Sequence, residues 1–405
     1  MIKSYQMKNF IKKELIYGAK NYSPINVCIA TGKGIFVTDT RSNTYMDFIS
    51  AYSSLNQGHC HPRLLKVLNN QAKQLTLTSR AVYNNVLGDY MEKICTTFNY
   101  ENMLPMNSGV EAGETAIKIA RSWGYNKKNV KPEQAVNLFC TNNFWGRTLA
   151  AVSTSNDPLG YENFGPFMNG FDIVEYDNVK ALEEKFKTNP NIVSFMLEPI
   201  QGEAGIIIPS DAYLSKVREL CDTYNVLMIA DEVQTGLGRT GKMLACDYNN
   251  IQPDLLVLGK ALSGGIMPIS AVLANKDIMD VMTPGVHGST FGGNPLSAAI
   301  GIEAINIIED EKLVENSFIQ GEYFREQINN FDFDCIKGCR GKGLLNAIEL
   351  DSKNTADKLS ETLLKNGMIA KTTHDNILRL SPPLIITKQQ IDDALYILQK
   401  SLKSL

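Results

Sequence analysis

Short, unbroken apolar runs recur through the middle of the chain and predict buried β-strands. The clearest runs are Val136–Cys140, Val193–Leu197, Val226–Ala230, Leu255–Leu258 and Ile269–Leu273. Runs without polar alternation are typical of strands that helices cover on both faces, as in a parallel sheet. Between two of these runs, apolar residues at helical spacing predict a helix within Asp211–Asn225. Alternating strands and helices favour an α/β fold, whose ligand sites lie at the carboxyl ends of the strands.

The end of the chain follows a different pattern. Thr387 and Gln390 form a capping-box signature, which predicts the start of a helix. The apolar residues expected on the inner face of that helix are Ile391, Leu395, Leu398 and Leu402. This change of pattern predicts a smaller α+β domain from about residue 300 onward.

One apolar segment, Leu255–Ala274, is long enough to be tested as a membrane span. It carries a single charge, Lys260, and a lysine at a helix centre costs about 2.5–3.5 kcal/mol on insertion. Gly264 and Pro268 also interrupt a helix here. We therefore predict two buried strands, Leu255–Gly259 and Ile269–Ala274, joined by a tight turn, with Lys260 at the end of the first. The alternative for Lys260 is a side chain that reaches the surface.

The composition is that of a globular protein and argues against several classes of function. The 40 Lys+Arg and 43 Asp+Glu leave a net charge of −3, so binding of nucleic acid through bulk positive charge is not expected. Eight cysteines are too sparse for a disulfide scaffold, which is typical of a reducing compartment. The N-terminal segment lacks the pattern of a signal or transit peptide, and we expect a cytoplasmic protein without a membrane partner.

Three features at the ends of predicted elements could carry chemistry. Ser108 and Glu111 form a capping box, and with Gly109 this helix start offers free N–H groups to a phosphate. Asp231 ends one predicted strand, and Lys260 ends another. A capping box alone usually only caps. Together, however, a phosphate cup, a carboxylate and an amine are what a pyridoxal phosphate site requires, because the lysine forms a Schiff base and the carboxylate keeps the pyridine nitrogen protonated.

Other motifs in the chain do not support an alternative function. Val226–Glu232 followed by GLGRTGK imitates a nucleoside triphosphatase, but Met243 replaces the Ser or Thr that holds magnesium, and the glycine loop follows the acidic strand instead of preceding it. His59 and His61 could belong to a metal site, but no third ligand cluster accompanies them. We therefore favour structural histidines near a turn and expect no metal. No G-x-S-x-G motif supports a hydrolase.

At these residues the chain resembles the subgroup III (fold-type I) aminotransferases, and the likeness covers essentially its whole length. It runs through AYSSLNQGHCHP, LPMNSGVEAGETAIKIA, NNFWGRTLAA, EPIQGEAGIIIP, ADEVQTGLGRTGK, LGKALSGG, HGSTFGGNP and RGKGLLNAIEL. The resemblance implies a mostly parallel sheet covered by helices in a large domain that binds pyridoxal 5′-phosphate (PLP), residues 45–298. It also implies a small domain built from both chain ends, residues 1–44 and 299–405, and a homodimer with shared active sites.

By position, the resemblance also implies roles toward the cofactor. Lys260 resembles the Schiff-base lysine, Asp231 the partner of the ring nitrogen, and Gln234 the residue near the ring hydroxyl. The cofactor ring would lie between Val233 and Phe144, although plain core packing is the alternative for Phe144. The residues expected around the phosphate are Ser108, Gly109 and Val110 of one subunit, and Thr290 with Ser289 of the other.

The substrate-binding residues that the resemblance implies are Tyr22, Tyr52, Trp145, Arg147, Glu203 and Arg379. Glu203 and Arg379 would form a gate to a second carboxylate pocket, with a permanent salt bridge as the structural alternative. The implied activity is transfer of the δ-amino group of L-ornithine to 2-oxoglutarate, a reaction of arginine and proline metabolism. Met267, Phe291 and Val286 depart from the family pattern, and Met267 leaves details of the pocket open.

Overall fold

The structure, a computed structural model, describes residues 2–405, with side chains described from residue 9 onward. Its strands are β1 (Ile29–Lys33), β2 (Phe36–Asp39), β3 (Thr44–Asp47), β4 (Asn102–Met106), β5 (Val136–Cys140), β6 (Phe171–Val174), β7 (Ile192–Leu197), β8 (Leu227–Asp231), β9 (Leu255–Leu258), β10 (Ser270–Ala274), β11 (Ile336–Lys342), β12 (Leu345–Leu350), β13 (Met368–Ile369), β14 (Lys371–Thr373) and β15 (Ile377–Leu380).

The helices alternate with the strands through the middle of the chain. They are α1 (Ile2–Tyr17), α2 (Ser50–Ser53), α3 (Pro62–Ala72), α4 (Leu87–Phe98), α5 (Gly109–Asn126), α6 (Leu149–Ser153), α7 (Pro158–Tyr161), α8 (Val179–Thr188), α9 (Tyr213–Tyr224), α10 (Lys276–Met279), α11 (Pro295–Asp310), α12 (Leu313–Asn329), α13 (Lys353–Lys365) and α14 (Lys388–Leu402). Two short 3-10 helices, Ala245–Asn249 and Lys260–Ser263, complete the order.

The central element is a seven-stranded sheet in the order β4-β10-β9-β8-β7-β5-β6. The neighbours from β9 to β6 pair in parallel, whereas β10 is antiparallel to both β9 and β4. Nearly every residue of β5, β7, β8 and β9 is buried, as expected for strands that are covered on both faces. The predicted α/β fold with a mostly parallel sheet is therefore confirmed.

The prediction for the segment after β9 was partly wrong. Leu255 and Ala274 do lie in buried strands, and no helix in the described part of the chain is long and apolar enough to cross a membrane. The connection, however, is not a tight turn. It spans residues 259–269 and begins with the 3-10 helix, because Lys260 and the residues after it must leave the sheet before the chain reverses at Gly264 and Gly265.

The chain ends build two further sheets, each of four strands. One has the order β1-β2-β3-β13, in which β13 near the C-terminus pairs in parallel with β3 near the N-terminus. The other is the antiparallel sheet β11-β12-β15-β14. The predicted capping box of α14 is present, with Gln390 N–H donating to the Thr387 hydroxyl. The division into domains at residues 44 and 299 stays a prediction.

Candidate active site

Three neighbouring parallel strands end in ionisable side chains. β7 is followed by Glu198, β8 ends at Asp231, and β9 is followed closely by Lys260. In the sheet register Leu197 pairs with Ala230, and Asp231 pairs with Val257. Parallel strands end at the same edge of a sheet, so these two carboxyl groups and the amine meet there.

Lys260 begins the 3-10 helix with φ of +44°, a left-handed conformation that is rare for a residue with a side chain. Burial lowers the pKa of its amine below the ordinary value. The nearby carboxylate of Glu203 opposes this shift, whereas the Arg379 guanidinium adds to it. An amine with a lowered pKa is more often neutral, and only the neutral amine is a nucleophile or a base.

Asp231 is buried, with 6% of its surface exposed. Burial raises the pKa of its carboxyl group to about 6, although the backbone N–H of Val233 and the charge of Lys260 lower it in part. Its Oδ1 accepts the Val233 N–H at 3.0 Å, and no hydrogen bond from a described residue reaches Oδ2. The free oxygen and the buried negative charge suit a positively charged N–H partner.

The predicted anion cup is present at the start of α5. Ser108 and Glu111 form the capping box in both directions, and the N–H groups of Gly109 and Val110 have no partner among the described residues. The cup lies against Val233, since a Cβ on Gly109 would be 3.0 Å from Cγ1 of Val233. Two free N–H groups at a helix N-terminus form a binding site for phosphate.

Phe144 and Trp145 follow β5 and have different surroundings. Phe144 is 38% exposed, and the Arg147 guanidinium lies 5.5 Å from the centre of its ring. Trp145 is buried, stacks on Phe139 at 5.6 Å, and donates its indole N–H to the Thr154 hydroxyl. Phe144 is therefore available to a ligand, whereas the indole of Trp145 is largely engaged in packing.

Gln234 lies between this region and the predicted gate. Its amide N–H₂ donates to Oε1 of Glu203 at 3.1 Å, while its own Oε1 is buried without a hydrogen-bond partner. A Cβ on Gly202 would be 1.5 Å from that oxygen, so only glycine leaves the space. A buried acceptor without a partner is costly, so this oxygen is available to a hydrogen-bond donor of a ligand.

The structure brings Glu203 and Arg379 together. Oε1 of Glu203 is 2.9 Å from Nη1 of Arg379, and the Tyr52 ring lies under the same guanidinium at 5.4 Å. Burial by itself would raise the pKa of Glu203, but the charges of Arg379 and Lys260 and the hydrogen bonds lower it below the ordinary value. Glu203 and Arg379 thus form a charged ion pair, and the Arg379 guanidinium also makes a cation–π contact with the Tyr52 ring.

The remaining predicted residues are placed less closely. Arg147 lines a cavity of about 170 Å³ together with Phe144, Trp145 and Glu203. Tyr22 is 73% exposed, and no hydrogen bond or ring contact ties it to another described residue. The Ser289 hydroxyl accepts from the Asn107 amide of the same chain at 2.8 Å. Thr290 is exposed and contacts no described polar group. Their roles stay predictions.

Sequence reasoning missed Glu198. This residue is buried, and it accepts the N–H of Phe144 at 3.0 Å and the N–H of Gly202 at 3.1 Å. It therefore fixes both the segment that carries Phe144 and the loop that leads to Glu203. The signal was available, because Glu198 follows the apolar run Val193–Leu197 just as Asp231 follows the next one.

The two rejected motifs have structural roles. His59 bonds to Asp47 at 2.7 Å and His61 to Glu311 at 3.1 Å, and the described residues contain no group of side chains that could hold a metal. The glycine-rich segment after β8 leads into a 3-10 helix instead of the long helix of a phosphate loop. Its Arg239 is fully buried and donates to Leu344 O, Pro382 O and the Asn56 amide.

Comparison with known proteins supplies relatives for the whole chain. Residues 17–402 match the family described as "Aminotransferase class-III". A Drosophila melanogaster relative named "Ornithine aminotransferase, mitochondrial" is 53% identical over 393 residues, 97% of this chain and 91% of its own length. "Ornithine aminotransferase" from Oceanobacillus iheyensis is 48% identical over 387 residues, 96% of each chain. A solved Toxoplasma gondii ornithine aminotransferase, described with partial occupancy of PLP at the active site, has a TM-score of 0.97, 45% identity, and coverage of 100% of this chain and 97% of that one.

Glu198 allows a test of the buried acid cluster in the ligand-free protein. Burial, followed by the charge of Asp231, raises the pKa of Glu198 from 4.5 to about 8. Protonated Glu198 favours the folded state over the unfolded state. This contribution to the stability is fully present below about pH 4.5 and is lost as the pH rises through about 8. We expect the midpoint temperature of unfolding to fall more steeply between about pH 5 and 8 in the wild type than in Glu198→Gln, whose amide does not titrate. Glu326→Gln, at an exposed position of α12, should keep the wild-type slope, and equal slopes in all three proteins would contradict the shift.

Proposed function

Since the chain belongs to the class-III aminotransferase family, we propose that it is an ornithine 5-aminotransferase. It transfers the δ-amino group of L-ornithine to 2-oxoglutarate. The products are glutamate and glutamate 5-semialdehyde, which cyclises to pyrroline-5-carboxylate.

The observation that carries this assignment is the likeness over nearly the whole chain to relatives that share one name. The fly and bacterial relatives are 53% and 48% identical, and both are named ornithine aminotransferase. The contact of Tyr52 with the Glu203–Arg379 pair supports the same substrate, because it places a phenol beside a carboxylate-binding cation.

The donor set fits PLP, the cofactor of this family. The free N–H groups of Gly109 and Val110 suit its phosphate. The buried, unpartnered Oε1 of Gln234 suits a ring hydroxyl, and Oδ2 of Asp231 suits a protonated ring nitrogen. When bound, PLP supplies an aldehyde that takes up the amino group and a ring that accepts the electron pair of the broken C–H bond.

Lys260 is the acid–base group of the reaction in this proposal. Its amine has a lowered pKa, so it can act as a base. It would take a proton from the substrate carbon and deliver it to the cofactor. Asp231 keeps the ring nitrogen positively charged, because a buried carboxylate favours the protonated form of a partner. Glu198 accepts the Phe144 N–H and so fixes the segment that would bring Phe144 to the cofactor ring.

Substrate selection depends on two cationic positions. Arg147, exposed beside Phe144, holds the single carboxylate of ornithine, and Tyr22 and Tyr52 add hydrogen bonds from their hydroxyl groups. 2-Oxoglutarate has two carboxylates and reacts next to one of them, so it needs a second cation near the cofactor. Arg379 is that cation, and Glu203 covers it during the ornithine step.

We also propose that the protein is a homodimer in which Ser289 and Thr290 of one copy reach the phosphate site of the other. Large apolar side chains exposed on the single chain support an interface in this region: Val82 and Tyr83 before α4, and Val286 and Phe291 around Thr290. A cytoplasmic location remains part of the proposal. All eight cysteines are free, which suits a reducing compartment, although the fly relative is named as mitochondrial.

Lys260→Ala should abolish the reaction. Loss of the acid–base amine lowers turnover with ornithine by about 10²–10⁴-fold or more, and the visible absorption of covalently bound cofactor disappears. The phosphate cup is intact, so the variant should still retain PLP after gel filtration. Lys276→Ala, at an exposed lysine after the next strand, is the matched control. Turnover at the wild-type rate in Lys260→Ala would refute the role of Lys260.

Amine-donor profiling tests the substrate. With 2-oxoglutarate as acceptor, kcat/KM for L-ornithine should exceed that for N-acetylornithine and 4-aminobutyrate by about 10²-fold or more, since a site built to hydrogen-bond a polar group rejects analogues without it. Tyr52→Ile should reduce this margin, whereas Tyr396→Ile, at an exposed tyrosine of α14, should not. A wild-type preference for either competitor would refute ornithine as the substrate and leave the family assignment unchanged.

Glu203→Ala distinguishes a gate from a permanent salt bridge. If Glu203 covers Arg379 reversibly, its removal should accelerate the half-reaction with glutamate and reduce δ-selectivity toward ornithine. A structural bridge instead predicts a lower unfolding temperature and two half-reactions that are slowed alike. Single-turnover absorption changes of the cofactor follow each half-reaction separately. Glu303→Ala, which removes the carboxylate bound to Arg63 at 2.6 Å outside the site, is the control.

A further inference from the structure

A second cation lies beside Arg379. In the antiparallel pair β14–β15, Lys371 is the register partner of Arg379. Directly opposite residues on antiparallel strands have their side chains on the same face of the sheet. Lys371 and Arg379 therefore point to the same region, which is the side on which Tyr52 lies.

The two cations differ in their partners. Arg379 is paired with Glu203 at 2.9 Å. Lys371 is half-buried, and no carboxylate of the described residues lies within 4.0 Å of its ammonium group. Its one polar contact there is with the Tyr52 hydroxyl, 3.4 Å from Nζ. While Glu203 is paired with Arg379, Lys371 is therefore a positive charge on this face of the β14–β15 pair that has no carboxylate partner among the described residues.

In the hydrogen bond between Lys371 and the Tyr52 hydroxyl, Lys371 must be the donor. A lysine ammonium group only donates hydrogen bonds, so the Tyr52 oxygen is the acceptor. The hydroxyl proton of Tyr52 then points away from Lys371 and can be donated to another group. Arg379 lies against the Tyr52 ring, and Lys371 lies at its hydroxyl. The Lys371 ammonium group and the Tyr52 hydroxyl can therefore both donate a hydrogen bond to the same anion.

A purely structural role does not account for this lysine. The ammonium group of the half-buried Lys371 has no carboxylate partner among the described residues, and its single polar contact there is the Tyr52 hydroxyl. Two cations on one face of the sheet with a single carboxylate partner leave a net positive charge, which favours binding of an anion. The ligand that suits Lys371, Tyr52 and Arg379 together is a carboxylate.

We propose that Lys371 is a specificity-determining residue for the dicarboxylate substrate. It supplies the positive charge that stays open while Glu203 covers Arg379, and it draws one carboxylate of 2-oxoglutarate into the place from which that carboxylate displaces Glu203. This inference rests on the proposed function. Ornithine depends on it much less, because Arg147 holds its single carboxylate, and Arg147 lines a cavity that Lys371 does not line.

Binding of glutarate to the PLP-loaded enzyme tests the proposal without turnover. Glutarate has the two carboxylates of 2-oxoglutarate but no keto group, so it cannot accept an amino group. Lys371→Met keeps the length of the side chain and removes the charge, and it should weaken glutarate binding, measured by titration calorimetry, about tenfold. The KM for 2-oxoglutarate should rise in parallel, while the KM for ornithine in the first half-reaction changes less than about twofold.

Two further variants separate charge from shape. Lys371→Arg keeps a cation and should bind glutarate within about threefold of the wild type. Lys337→Met removes an exposed lysine from β11, at the opposite edge of the same sheet, and should bind like the wild type. The unfolding temperature of Lys371→Met should not fall, because Lys371 forms no ion pair with a described residue that the substitution could break.

Several results would overturn the inference. They are wild-type glutarate affinity in Lys371→Met, an equal rise of KM for both substrates, or a lower unfolding temperature with general loss of activity. A rise of KM for ornithine alone would also refute it, since Lys371 would then serve ornithine through Tyr52. Failure of the proposed function can be distinguished from failure of this inference. In the first case the wild-type enzyme itself would not use ornithine with 2-oxoglutarate.

Discussion

Ionisable groups buried at one edge of a parallel sheet are the constraint on which the site depends. Glu198 follows β7, Asp231 ends β8 and Lys260 lies just after β9. Burial raises the pKa of the two acids and lowers that of the amine, so it favours the neutral form of each group. The pKa values of the two acids, about 8 for Glu198 and about 6 for Asp231, lie near neutral pH, and the lowered pKa of Lys260 increases the fraction of neutral amine. The sheet must be covered on both faces to achieve this, so the long buried strands and the chemistry have the same origin.

Tyr52 does not come from the edge of the central sheet but from a separate segment whose backbone is strained. Ala51 and Tyr52 have φ of +45° and +58°, and left-handed residues cost roughly 1–2 kcal/mol each. The carboxylate of Asp47 accepts the N–H groups of Ile49 and Ser50 and so fixes the start of this turn. Arg239 supports it from the other end, because its buried guanidinium joins Asn56 to Pro382, near Arg379.

Local sequence signals explain which parts could be predicted. The unbroken apolar runs located β5, β7, β8, β9 and β10, and the two capping boxes located the starts of α5 and α14. The connection after β9 was missed because the left-handed geometry at Lys260 is imposed by its surroundings and not by its residue type. Lys371 was missed for a similar reason, since only the register of β14 with β15 places it beside Arg379.

In the proposed reaction, the exchange of substrates requires that the Glu203–Arg379 ion pair be neither loose nor permanent. An exposed pair contributes about 0–1 kcal/mol, whereas removing one partner of a buried pair costs about 3–5 kcal/mol. The side chains here are 28% and 9% exposed, so the pair lies between these limits, and the Gln234 amide holds Glu203 as well. Glu203 can therefore leave at little net cost only when another carboxylate takes its place on Arg379. A dicarboxylate meets that condition and a δ-ammonium group does not, so under the proposed gate the charge of the incoming end of the substrate would decide whether Arg379 is uncovered.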